Sequence, residues 1–254
     1  MCNKHNLSAL ALALLLLLAA SFARAYEPTS NYESRQMEGW TVLVNKQLLS
    51  TNAAVAKEVL QVLDQQLFQI ARVVPQPALA RLRDVTIWVE ASDPLFPCAC
   101  YHPSGGWVRQ HGLNPEKATC VEIANPRNFL DWTKDQPWMI LHELAHSYHH
   151  RVLGFDNPEI KEAYKQAVAS KTYDSVLYIH GQMMRHYALT DEKEYFAESS
   201  EAFFGCNDFY PFTRAELQQH DPTIYALMVK LWGVKPAAHA PVQETEKEAS
   251  SRTQ

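Results

Sequence analysis

A chain of 254 residues with a formal net charge of −5 and 47% hydrophobic residues has the material for one domain with a sizeable core, and gives no ground for two. The mild acidic balance, without a block of basic residues, argues against nucleic acid as a primary partner. Glycine is scarce, at 8 residues, so phosphate-cradling Gly-rich loops are not in play.

In chain order, Lys4 and His5 precede an apolar run from Leu7 to Ala20, and Ala23-Arg24-Ala25 places small residues where a signal peptidase reads them. The run, of roughly 14 residues, is short for a bilayer span. Residues 1–25 are therefore expected to be a signal peptide cleaved after Ala25. The mature protein is then secreted or periplasmic, with no membrane attachment. Residues 26–37 read as an irregular polar lead-in.

Trp40 to Asn45 is rich in β-branched and aromatic residues and predicts a strand. Val55, Val59, Val62, Leu63, Leu67 and Ile70 then recur at spacings of three and four, an amphipathic helix that ends before Pro75. Asp84 to Glu90 predicts a second strand, so the opening is strand, helix, strand.

Residues 91–117 show little periodicity and read as a long functional loop. Cys98, Cys100, Cys120 and Cys206 remain after signal cleavage. An even number in an exported chain predicts one or two disulfides, of unassigned pairing. A Cys/His zinc cluster at Cys98, Cys100 and His102 is the competing reading, which an oxidising compartment disfavours. Thr119 to Ala124 alternates and predicts a short strand, expected at the sheet edge, where a peptide can add by backbone hydrogen bonding.

Pro137 suits the start of the next helix, which runs through Trp138, Ile140, Leu141, Leu144 and Ala145 toward a cap at Gly154. Further helices are expected at about 159–171, 174–186, 191–204, 213–219 and 222–231. Residues 236–254 form a polar, compositionally biased tail, expected to be disordered.

His142-Glu143-Leu144-Ala145-His146 lies on the helix after Pro137. Residues four apart share one helical face, so both imidazoles can reach a single Zn2+ ion. Glu143 is poorly placed as a third ligand but well placed as a general base toward water at the metal. Catalytic zinc needs a third protein ligand and one open position. A histidine six residues after His146 would supply it in one pattern, but position 152 is Val. His149 and His150 read as surface or second-sphere residues. A distant carboxylate is the better candidate: Glu194, Glu198 and Glu201 share one face of an otherwise largely apolar helix, and a buried carboxylate needs a counter-charge.

With those residues in view, the chain resembles the catalytic domain of anthrax lethal factor and its relatives, zincins whose third zinc ligand is a glutamate. The likeness rests on His142 to His146 followed by Tyr187 and, seven residues later, Glu194-Tyr195-Phe196-Ala197-Glu198, and covers about residues 135–205. A broader likeness, over about 38–232, is to exported bacterial and fungal proteins described as zinc metallopeptidases. They share Cys98-Ala99-Cys100-Tyr101-His102-Pro103 and Gln136-Pro137-Trp138-Met139. Neither likeness extends to the toxin's amino-terminal domains, so its cell entry and its substrates do not carry over.

The resemblance implies an α+β, zincin-like domain over residues 26–235. In it a small mixed sheet with a backing helix and an active-site helix precedes a mostly helical C-terminal half. It further implies one Zn2+ held by His142, His146 and Glu194, with Glu198 orienting a ligand histidine. Tyr187 faces the substrate at the metal, with Tyr178, His180 and His186 as nearby competitors for that role. The expected activity is hydrolysis of a peptide or protein substrate, with Glu143 as base. The alternative is an exported zinc-binding module without peptidase activity.

Overall fold

The computed structural model describes residues 26–235; the expected signal peptide (1–25) and polar tail (236–254) lie outside them. The architecture is α+β, with a small mixed sheet followed by a mostly helical C-terminal half. Among the described residues no helix is long and apolar enough to cross a membrane.

The sheet holds β1 (Tyr32–Met37), β2 (Trp40–Asn45), β3 (Ile87–Val89), β4 (Ala99–Tyr101) and β5 (Val121–Ile123) in the order β1-β2-β3-β5-β4. The inner pairs β2–β3 and β3–β5 are parallel, while β1 and β4 pair antiparallel at the two edges. The second half of the lead-in expected to be irregular is thus a strand. Glu38 and Gly39, both at positive φ, make the two-residue turn that returns β1 into β2, a conformation that favours hairpins. A Cβ at Gly39 would also sit 2.6 Å from Nε of Arg83.

The edge expectation is corrected as well. The strand from 119–124 lies inside the sheet, and β4, drawn from the supposed loop, forms the edge. The alternation in Val121-Glu122-Ile123 does not mark a solvent face, since all three residues are buried. Glu122 instead bonds His102 and lies 2.6 Å from Nζ of Lys117, which also reaches Glu90 at 2.7 Å. A buried carboxylate with these partners satisfies the rule that buried charge is paired.

The helix Ala53–Val73 backs the sheet as its periodicity requires, burying Val59, Leu63, Leu67 and Ile70. Gln66, on the same buried face, accepts a hydrogen bond at 3.0 Å from the amide of Ile140. It thereby satisfies one of the free donors at the start of the helix Met139–Tyr148. That helix buries Ile140, Leu141, Leu144 and Ala145, continues as a π-helical turn over His149–Leu153, and stops at Gly154, φ +79°.

Beyond it stand the helices Pro158–Ser170, Glu192–Phe204, Arg214–His220 and Pro222–Leu231. The helix expected over 174–186 is instead a hairpin, Val176–Leu177 against Met183–Met184. It turns at Gly181, φ +89°, where a helical conformation is lost and a left-handed one is cheap for glycine. Glu192–Phe204 crosses closely over the helix Met139–Tyr148. A Cβ on Gly205 would lie 1.9 Å from the Trp138 ring, so only glycine admits this approach.

The four cysteines among the described residues are free thiols, which corrects the disulfide expectation. Their sulfurs face different neighbours: Cys98 the sulfur of Met139, Cys100 the ring of His102, Cys120 the carbonyl of Glu116, and Cys206 the carbonyl of Asn207. Cys98 therefore does not join Cys100 and His102 in a cluster. The grouping that does form is Cys100, His102 and Glu122, and Lys117 already occupies the other oxygen of Glu122.

Candidate metal centre

Two helices bring the predicted ligands together. His142 and His146 project from one face of Met139–Tyr148. Asp191 caps the opposing helix, its carboxylate accepting from the amides of Lys193 (2.8 Å) and Glu194 (3.0 Å). An Asp cap of this kind fixes the first turn, and Glu194 lies on that turn.

Nε2 of His142 lies 3.0 Å from Oε2 of Glu194 and 3.1 Å from Nε2 of His146, which is 3.4 Å from the same Glu194 oxygen. Ligands at 2.0–2.1 Å from a tetrahedral zinc ion stand about 3.3 Å apart, so the spacing suits that ion. The donor chemistry agrees. Nδ1 of His142 is engaged by Oε1 of Glu201 at 2.7 Å. A neutral ring donating there turns a bare Nε2 lone pair toward a carboxylate oxygen and a second imidazole nitrogen. In that tautomer the three facing atoms are all acceptors, an arrangement suited to a cation.

The field of the site pulls the same way. Burial opposes a charge on His142, but hydrogen bonds to Glu194 and Glu201, with the charges of Glu201 and Glu198, outweigh it and raise its pKa well above the usual range. Burial likewise works against ionised Glu194, yet bonds to His142 and His146 hold its carboxyl below the ordinary carboxylate range. A pocket whose carboxylates favour positive charge on its histidine is electrostatically suited to a divalent cation.

No family profile, no curated protein and no solved structure matches this chain.

Glu198 stands where it was expected, beside His142, but its oxygen is 3.4 Å from Nδ1, whereas Glu201 makes the hydrogen bond. The orienting carboxylate nearest the ring is thus Glu201, one helical turn later. Glu198 accepts instead from Nδ2 of Asn207 at 2.9 Å. Burial, followed by the charge of Glu201, pushes the Glu198 carboxyl well up. Two buried carboxyls this close do not both ionise, so the pair favours a proton on Glu198. The sequence already carried the signal for Glu201, since it shares a helical face with Glu194 and Glu198.

Glu143 and Tyr187 line one cavity of about 550 Å³ together with His142, Glu198 and Glu201. Tyr187 opens the short 3-10 turn Tyr187–Leu189 and is 49% exposed, its ring at the cavity mouth. Burial and then the charge of Glu194 raise the pKa of its hydroxyl, keeping it a neutral donor. Of its competitors, Tyr178 also lines the cavity, while His180 is exposed and paired with Asp135 at 2.9 Å. His186 is buried, its Nδ1 accepting from the amide of Ala188, and burial pushes its pKa down to about 3.

His149 corrects another expectation. It is neither on the surface nor bonded to a ligand residue, but fully buried, packed on Phe155 and Phe196, with both ring nitrogens unpaired. The π-helical turn that begins at this residue carries it inward. Burial, with the neighbouring charge of His146, lowers its pKa from 6.5 to about 4. A depressed folded value means that the unfolded chain takes up the proton first on acidification. The contribution of His149 is then complete above about pH 6.5 and is lost as the pH falls toward 4, up to about 3 kcal/mol. Urea unfolding of wild type and His149→Phe across pH 7.5 to 4.5 should show the wild type losing more stability, and parallel curves would reject this assignment.

Proposed function

We propose that this protein is an exported, zinc-dependent peptidase of the zincin type, similar in its catalytic residues to the lethal factor domain. The observation that carries the reading is the convergence of His142 Nε2, His146 Nε2 and Glu194 Oε2 within 3.0–3.4 Å, beside an open cavity that Glu143 and Tyr187 also line. Zinc held by His142, His146 and Glu194 would supply Lewis acidity toward a water and a scissile carbonyl.

The residues of the chain do the rest. Glu143, adjacent to a ligand in sequence and facing the cavity, takes the proton of the attacking water on its carboxylate and hands it to the leaving amine. The hydroxyl of Tyr187 donates toward the oxygen on which negative charge develops. Glu201 holds His142 in the tautomer that leaves Nε2 free. The edge strand Ala99–Tyr101 offers unpaired backbone groups beside the cavity, whose lining includes Pro97, Cys98 and Ala99. An extended peptide can pair there. Leu177, Ile179, Met183 and Met184, exposed on the nearby hairpin, give the rim an apolar surface suited to a polypeptide.

Metal analysis and hydrolysis of a mixed peptide library test the reading together. One zinc per chain is expected, with cleavage abolished by a chelator and restored by added zinc. Bound zinc without chelator-sensitive cleavage would replace the enzyme with an exported zinc-binding module.

A further inference from the structure

The cavity beside the ligand cluster has an uneven lining. Its walls are apolar, built from Trp132, Met139, Met184, Tyr178 and Phe209, and no lysine or arginine lines it. Four acidic side chains do: Glu143, Glu198, Glu201 and Asp208. Three of these have assigned work, Glu143 as base and the pair Glu198 and Glu201 on His142 and Asn207.

Asp208 has none. Its residue is only 2% exposed, it lies outside the ligand cluster, and its Oδ2 accepts from Nε2 of Gln136 at 3.0 Å. Among the described residues no lysine, arginine or histidine forms an ion pair with it. Buried carboxylates are ordinarily compensated by a cation, because the charge is costly out of water. A single amide does not balance a charge. Burial accordingly pushes the Asp208 carboxyl up, against the hydrogen bond from Gln136 and the charge of His142.

The lining has the two halves that a long cationic side chain needs. Methylene stems pack along apolar walls while the charged head reaches a polar end, and aromatic faces such as Tyr178 and Phe209 favour a cation above them. A short acidic or polar side chain would meet apolar walls and acidic groups.

We propose that this cavity receives a lysine or arginine side chain of the peptide, adjacent to the scissile bond, with Asp208 meeting its charged head. The proposal rests on the peptidase reading and narrows it to basic substrates.

The test uses the zinc-loaded chain and matched fluorogenic peptides that differ at the residues flanking the cleaved bond. Lysine is compared with norleucine, and arginine with citrulline, so that shape is kept and charge is removed. Wild type should favour the charged member of each pair by about 10–100-fold in kcat/KM, since a buried group built for a charged partner rejects the neutral analogue. Asp208→Asn should erase that preference by raising KM for the lysine and arginine peptides, leaving norleucine and citrulline peptides within about threefold of wild type. Equal cleavage of charged and neutral peptides by wild type would overturn the proposal while leaving the peptidase intact. So would an Asp208→Asn variant that loses both classes alike yet unfolds at the wild-type temperature. Should Asp208→Asn fail to fold, the wild-type ratios decide alone. If zinc is bound and no peptide is cleaved, the peptidase reading fails. Fluorescence anisotropy of labelled lysine and norleucine peptides then decides the cavity, and no preference for lysine overturns it.

Discussion

Glu143→Gln is expected to keep one zinc per chain and to lower kcat by about 10³-fold, within the range that general acid–base groups contribute. The amide is nearly isosteric with the carboxylate, so packing at this largely buried position is undisturbed, but it cannot accept the proton of the attacking water. His142, His146 and Glu194 are untouched, and the metal stays. Zinc content by atomic absorption, beside single-turnover rates on a library-derived peptide, separates the two effects. A variant that cleaves at the wild-type rate removes Glu143 from the chemistry. A variant that loses its zinc makes Glu143 part of the binding site.

The second large effect is expected at Glu194. Replacing it with Ala leaves two imidazole nitrogens 3.1 Å apart and removes the only anionic donor among the three converging atoms. Zinc affinity should fall by more than the roughly 10–100-fold that outer-shell partners of a metal site carry. Glu201→Gln, which alters only the partner of Nδ1 on His142, should fall inside that range. Competition titrations with a zinc-sensitive chelating dye give both numbers on one scale. If Glu194→Ala binds as tightly as wild type while Glu201→Gln does not, the third ligand is misassigned. The geometry speaks for the order proposed: the Glu194 oxygen faces both Nε2 atoms, whereas Glu201 lies behind the ring at 2.7 Å.

Elements with a strong local period were legible before any contact was known. The backing helix shows its buried face in Val59, Leu63, Leu67 and Ile70, and the helix of His142 and His146 shows its own in Ile140, Leu141, Leu144 and Ala145. Period and face are properties of consecutive residues, so one sequence states them. The short strand Ala99–Tyr101 has three residues, too few for an alternation to be read, and it exists because β5 is there to pair with it. The hairpin at Val176–Met184 reads as a helix in sequence because its apolar residues suit either period. Its turn at Gly181 and the backbone bonds from Ile179 and Tyr210 to distant partners decide otherwise. In sequence His149 reads as a surface or second-sphere residue of a His-rich run, whereas the π-helical turn that begins there packs it on Phe196.

The same division runs through the candidate centre. Sequence alone determined that two imidazoles stand one helical turn apart with a glutamate beside the first, and that three carboxylates recur on one face of a later helix. Helical geometry is local and leaves no freedom in that. Only the tertiary structure decided which oxygen meets which nitrogen: Glu194 across from Nε2, Glu201 behind Nδ1, Glu198 turned to Asn207, and Asp208 left facing the cavity without a cation. Those assignments depend on how two helices cross, and the crossing is set by the glycine that admits Trp138 and by the packing of residues more than fifty positions apart. Long-range packing of this kind leaves no period in the chain to read.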